Sequence, residues 1–209
     1  MKNIYVAVII FLGLAQVSYS QLRVAALGGI QSSSVTEKNS LAGWETNIKP
    51  GYSSRSGVHL GVLVEVPLSA SGHLFFHPGI LYTAKGRKFS LKNDTATAIA
   101  TDTISTSHNF SVNYIEFPLN LTYKIPLNNK ISFLISAGPY VGFFYNGKQK
   151  SEARIYSSNK FKEDEFALES GNEEGKIKTV DMGLNARAGL EIGNVWITGF
   201  ASKGLTSFY

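Results

Sequence analysis

The residues able to do chemistry are few and widely spaced. The chain carries four histidines, 15 aspartate and glutamate residues and no cysteine. Without cysteine it has no thiol nucleophile, thiolate metal ligand, disulfide or lipid-bearing cysteine. His59, His73, His77 and His108 lack the spacing of a zinc set, and no His-Glu-x-x-His, EF-hand or nucleophile-elbow pattern occurs. A serine–histidine hydrolase needs a hydroxyl within reach of the imidazole and a third group to orient it. No such partner spacing is visible around His59, His77 or His108. Gly28-Gly29 lacks the strand-to-helix context of a phosphate loop. The expectation is a protein with no catalytic centre, no metal and no cofactor.

The remaining candidates are charged residues that recur on one parity of alternating stretches: Glu65, His77, Lys85, Glu116, Lys124, Arg187 and Glu191, with His59 nearby. The stretches that carry them have period two, the signature of strands rather than helices. In 114–125, Ile115, Phe117, Leu119, Leu121, Tyr123 and Ile125 alternate with Glu116, Asn120, Thr122 and Lys124. The same pattern sets Val58, Leu60, Val62, Val64 and Val66 against His59 and Glu65, and Met182, Leu184, Leu190 and Ile192 against Asp181, Arg187 and Glu191. In 131–146, Ile131, Phe133, Ile135, Phe143 and Tyr145 oppose Ser132, Ser136 and two glycines. Residues 74–88 repeat it with Leu74, Phe76, Ile80 and Tyr82 against His77, Lys85 and Arg87. In 22–31 and 195–205 strands are expected without a clear outward parity. The well-patterned stretches reach or exceed the about 9–11 residues with which a tilted strand crosses a bilayer. Length and alternation together predict an antiparallel, up-and-down transmembrane β-barrel with an apolar exterior and these charges in the lumen. Eight strands leave an interior just wide enough for side chains, so the lumen charges are read as a hydrogen-bonded plug.

Composition agrees with that class. The chain has 209 residues, 44% hydrophobic and 17% charged, with a formal net charge of +5. The basic residues are scattered, with Lys85, Arg87, Lys88 and Lys92 the densest group, so no nucleic-acid partner is expected. Lys2, the apolar run Ile4 to Leu14 and Ser18-Tyr19-Ser20 form the three parts of a secretory signal peptide, predicting export and cleavage before Gln21. The run is too short to span a membrane as a helix. The division is a signal peptide at 1–20 and a barrel domain at 21–209.

Connections alternate in length. Residues 67–72, 126–129 and 193–194 are tight and turn-rich, whereas 32–56, 88–110 and 147–179 are long and rich in Ser, Thr, Asn, Lys and Glu. Short periplasmic turns and long extracellular loops describe an outer-membrane barrel. The acidic groups at 163–165 and 173–174, interleaved with Lys160, Lys162, Lys176 and Lys178, are read as a solvated loop, with lipopolysaccharide or cation contact as the alternative. Tyr82, Phe89, Tyr114, Tyr123, Tyr140, Phe143, Phe144, Tyr145 and Trp196 are candidates for interfacial girdles, in competition with lumen packing.

Four segments carry a family pattern: Gly61 to Ser69, His77 to Gly86, Asn113 to Lys124 with its Tyr-Ile-Glu-Phe-Pro-Leu core, and Ala137 to Gly142. In this order the chain resembles the PorT-like outer-membrane β-barrel family of Gram-negative bacteria, from about Gln21 to Thr206. The resemblance implies a porin-like small barrel of about eight strands in the outer membrane, and the named member is tied to type IX secretion and gliding. Gly204-Leu205-Thr206 is similar to the family's Gly-Leu-Thr at the end of the seventh strand. Seven strands are readable, whereas single-chain barrels usually have an even number. The expectation is a chain that is truncated before an eighth strand and closes imperfectly, or a terminal segment, read here as loop, that closes the sheet.

The functional expectation is a non-enzymatic, monomeric, integral outer-membrane protein with a structural or interaction role, in protein secretion or surface assembly. Its partners are membrane lipid, lipopolysaccharide and proteins met through the extracellular loops. The alternatives are a narrow porin for ions or small solutes, a lipid-modifying barrel enzyme, and a soluble periplasmic β-barrel that binds an apolar ligand.

Overall fold

A computed structural model describes residues 22–35, 44–97, 100–155, 160–171, 173 and 176–206. The expected signal peptide lies outside the described residues, as do Glu174 and Tyr209. The alternating stretches form eight antiparallel strands: β1 Arg23–Ser33, β2 Tyr52–Pro67, β3 Leu74–Thr97, β4 Ala100–Pro126, β5 Ile131–Ile155, β6 Lys160–Ala167, β7 Val180–Ile192 and β8 Val195–Gly204. Their order in the sheet is β1-β2-β3-β4-β5-β7-β8, with β6 paired to β5 off that path.

The outward parity is the apolar one. Leu60, Ile80, Leu121, Ile135, Leu184 and Ile192 are all exposed on the outside of the sheet. On β1 and β8, where the sequence leaves the parity open, Val24, Ile30, Val195 and Ile197 are exposed outward and Arg23, Gln31, Trp196 and Phe200 share the inward parity. A surface of this kind is stable against lipid and unfavourable against water.

The tight connections gather at one end, where Pro67 pairs with Phe75, Pro126 with Ser132 and Ile192 with Val195. Gly72 and Gly193 take φ of +69° and +59° there, which a side chain would strain. Asn128 Oδ1 accepts from the amides of Lys130 and Ile131, both at 2.9 Å, and closes the β4–β5 turn.

At the other end two expected loops are strands. The β3–β4 ladder runs without a break in strand assignment from Leu74 opposite Tyr123 to Thr97 opposite Ala100, so most of 88–110 is the outer half of a hairpin. In 147–179, β5 continues to Ile155 and pairs with β6 from Lys148 opposite Ala167 to Ile155 opposite Lys160. These segments lack apolar alternation because both faces meet water, yet their backbone groups still pair across the ladder. A bulge between Asn113 and Tyr114 of β4 leaves Tyr145 of β5 unopposed and reverses the inward parity of β5 beyond it. Within 32–56 the described residues include a helical segment, Trp44–Ile48, followed by one turn, Lys49–Gly51.

Seven strands therefore cross the membrane, as the alternation implies, and the eighth lies in the outer extension. Among the described residues no ladder joins β1 to β8. The sheet is nonetheless curled enough for side chains to meet across its concave side: Arg23 of β1 reaches Glu191 of β7 at 2.8 Å, and His59 of β2 lies 4.4 Å from Phe200 of β8 between ring centres.

Candidate functional site

The interior holds two charged clusters at different heights. Near the end with the short turns, Lys124 Nζ sits 2.5 Å from Glu65 and 2.6 Å from Glu191. Arg23 joins the same two carboxylates at 3.2 and 2.8 Å. Two cations thus face two acids, and each carboxylate has more than one donor, the condition under which a buried ion pair is tolerated. His77 Nε2 lies 3.1 Å from Glu65, and its Nδ1 is 2.8 Å from Thr122 Oγ1, which in turn is 2.8 Å from Ser136 Oγ. Trp196 stacks on His77 with ring centres 5.1 Å apart, and the Lys124 ammonium lies over Phe75 and Trp196. Strands β1, β2, β3, β4, β5, β7 and β8 all contribute, so the cluster ties opposite sides of the curled sheet.

Further out, one lysine serves two acids. Lys85 Nζ is 2.5 Å from Glu116 and 2.8 Å from Asp181. Thr83 donates to Glu116 at 3.1 Å, Tyr140 donates to Asp181 at 3.1 Å, and Thr206 donates to Asp181 at 2.8 Å. Tyr140 fits only because Gly183 has no side chain: a Cβ there would lie 2.7 Å from the Tyr140 hydroxyl.

Above these clusters the outer mouth is covered from two sides. Ile177, in the β6–β7 connection, is buried with Val112 and Tyr114 of β4, and Phe144 and Leu168 pack against them. Across the mouth, Trp44 is buried beside Tyr52, Tyr52 packs on Phe89 at 4.7 Å, and the Arg87 guanidinium lies over the Tyr52 ring. Of the aromatics considered for girdles, Tyr123, Phe143 and Tyr145 are exposed outward. Phe89, Tyr114, Tyr140, Phe144 and Trp196 instead face the interior, where cations and polar groups take up their edges and faces.

All seven expected lumen residues lie inside, but not as one group. Glu65, His77, Lys124 and Glu191 form the inner cluster, Lys85 and Glu116 belong to the outer one, and Arg187 joins neither. Arg23 and Asp181 complete the two clusters. Asp181 shares the parity of Arg187 and Glu191, so its inward direction is readable; Arg23 stands on a strand whose parity the sequence leaves open. His108, expected in a loop, is on β4, with Nδ1 2.8 Å from Ser151 Oγ and its ring stacked on Phe89. Among the described residues no carboxylate bonds to that imidazole, and no group of three or more His, Asp and Glu side chains is placed to hold a metal.

A curled antiparallel sheet with an apolar exterior and an interior of paired charges is an inside-out arrangement that only lipid makes stable. Comparison with protein families supplies the matching result: the model described as "Outer membrane protein beta-barrel domain" covers residues 5–208. The chain belongs to this outer-membrane β-barrel family. None of the curated proteins compared with the chain matches it, and none of the solved structures does. In an outer-membrane barrel the short turns face the periplasm and the long hairpins the outside. The inner cluster of this barrel is therefore at the periplasmic end, and the Trp44 and Ile177 coverings lie at the extracellular mouth. An open cavity of about 640 Å³ at the periplasmic end reaches Arg23, Glu65, Lys124 and Glu191 and is bounded by the β4–β5 turn. Beyond it the side chains of both clusters project into the interior.

Proposed function

We propose that this outer-membrane barrel is a non-catalytic anchor that carries an extracellular β-platform for protein partners. The observation behind this reading is the height of the hairpins. On β4 the outward apolar set ends at Ile115, and the strand continues outward to Ala100 with Asn113, Ser111, Asn109 and Ser107 on the same parity. The outer parts of β3, β4, β5 and β6 make one four-stranded extension with charged and polar surfaces, while the lumen beneath holds the two charged clusters. A sheet costs more ordering entropy than a loop of the same length, and a rigid surface is what recognition by a partner uses. The belt meets outer-membrane lipid and lipopolysaccharide, and one chain acts as a monomer. The PorT-like resemblance supports a part in protein secretion or surface assembly.

Replacing residues 90–106 by a two-residue turn tests this. The trimmed chain should keep heat-modifiable migration and outer-membrane fractionation but lose its cell-surface crosslinks. Crosslinks that survive the trimming overturn the platform. Stable large openings in planar bilayers favour the narrow porin instead.

The lipid-modifying alternative has one observation of its own, the His108–Ser151 pair at 2.8 Å. It predicts an altered lipid A mass profile in a deletion strain, restored by the wild-type chain and not by Ser151→Ala. The anchor predicts an unchanged profile.

A further inference from the structure

The open cavity of about 640 Å³ at the periplasmic end has two unlike walls. Pro67 and Phe75 make part of it apolar, while Arg23, Lys124, Lys130, Glu65 and Glu191 carry its charge. Three cations against two acids leave one positive charge. The outer cluster does not alter that count, because Lys85, Glu116 and Asp181, with Arg187 nearby, sum to zero. Both acids of the cavity already have partners: Arg23 and Lys124 hold each of them, and His77 also meets Glu65. The donors are not used up. Arg23 gives Nη1 to Glu65 and Glu191 at 3.2 and 2.8 Å, its Nη2 lies 3.5 Å from Asn194 Oδ1, and its Nε has no partner among the described residues. The side chain is 45% exposed, so that edge of the guanidinium is open to water. Lys130 is exposed in the β4–β5 turn and has no ion pair among the described residues. Its carbonyl accepts from the Gly193 amide at 2.9 Å, which sets this lysine beside the β7–β8 turn that Arg23 reaches.

We propose that this vestibule is a docking site for the C-terminal residue of a periplasmic polypeptide that ends in an apolar side chain. The terminal carboxylate takes the Nε–Nη2 edge of Arg23, a planar fork that meets two oxygens at once, with Lys130 as the second cation. The apolar side chain lies against Phe75 and Pro67. One carboxylate brings the charge of the vestibule to zero. The cavity ends inward on the Lys124, Glu65 and Glu191 side chains, so it receives a chain end rather than a strand passing through. Its volume falls within the about 300–1,000 Å³ of ligand sites. The inference is independent of whether the outer hairpins bind a partner, because it concerns the opposite end of the barrel.

The full chain, isotope-labelled at arginine and refolded in non-ionic detergent micelles, is titrated with three probes and followed by magnetic resonance of the arginine Nε–H groups. The probes are acetyl-Ala-Ala-Leu as the free acid, the same peptide as its C-terminal amide, and methyl phosphate. The free acid should shift the Arg23 signal saturably, and the amide should bind roughly tenfold more weakly or not at all. Arg23→Lys keeps the charge of the cluster but removes the fork; it identifies the Arg23 signal by its loss and should weaken the acid, read on the labelled peptide. Should that variant fail to fold, Lys130→Glu decides: it lies in an exposed turn, reverses the charge beside the site and should also weaken the acid roughly tenfold, whereas Lys130→Arg should retain binding. Absence of a saturable Arg23 shift, equal binding of acid and amide, or an affinity unchanged in Lys130→Glu each overturns the site. Methyl phosphate binding more tightly than the acid overturns it in favour of a lipid headgroup or free phosphate.

Discussion

The same residue types, lysine and glutamate, are paired in two regions of this barrel with opposite consequences. In the lumen, the side chains of Lys124, Glu65 and Glu191 are less than a tenth exposed, and each charge meets more than one partner. On the β5–β6 extension, Lys148 pairs with Glu165 and Lys150 with Glu163, all with at least a third of the side chain in water. Coulomb attraction at a given distance is several times stronger where water is excluded, but so is the cost of removing one partner. The lumen pairs are mutually dependent parts of a plug, whereas the outer pairs decorate a surface and are screened by salt.

Single substitutions should separate the two regions cleanly. The largest effect is expected for Lys124→Met, which leaves Glu65 and Glu191 to share Arg23 as the one remaining lysine or arginine of the cluster and should cost about 3–5 kcal/mol. Urea unfolding in micelles, followed by tryptophan fluorescence, reads this directly. Lys85→Met removes the single cation between Glu116 and Asp181. Because water reaches Lys85 more easily than Lys124, a smaller loss of roughly 2–3 kcal/mol is expected in the same assay. Thr122→Val removes the hydroxyl between His77 and Ser136 at nearly constant volume and should cost about 1–2 kcal/mol. Equal losses for Lys124→Met and Thr122→Val would mean that ion pairing is not what distinguishes the lumen.

The smallest effect is predicted on the extension. Lys150→Ala should leave the unfolding midpoint unchanged at any salt concentration. The hydrogen bonds that Lys150 donates to Glu163 and Glu152 hold its ammonium above the ordinary lysine value of 10.5. A raised cation pKa means the contribution is complete below that value and is lost as the pH rises through the raised one. A proton titration of the Lys150 side chain should therefore show a later midpoint than that of a lysine in a disordered peptide. An ordinary midpoint would show that the pair does not persist in solution.

How much was legible in the sequence differs between the same regions. Across the belt, apolar residues at every second position predict strand, register face and lumen in one step, since lipid outside and polar groups inside impose a strict alternation. Beyond the belt both faces meet water, the alternation fades, and 88–110 reads as loop although its described residues are ladder. Trp196 illustrates the limit at the ends: its type matches an interfacial girdle, yet the register of β8 turns it inward onto His77 and Lys124. The inward parity was readable for Glu65, Lys124 and Glu191 alike, but not that they share one height while Arg187 stands apart.

By itself the sequence determined the class of fold, the outward face of most strands and the chemical character of the interior, because these depend on residue type at period two. Only the tertiary structure decided which charges meet, that the outer loops are hairpins, that Trp44 and Ile177 cover the extracellular mouth, and that Arg187 joins neither cluster. Those outcomes depend on stagger between strands and on how tightly the sheet curls. Both are set by backbone pairing and side-chain packing over the whole sheet, which no local pattern encodes.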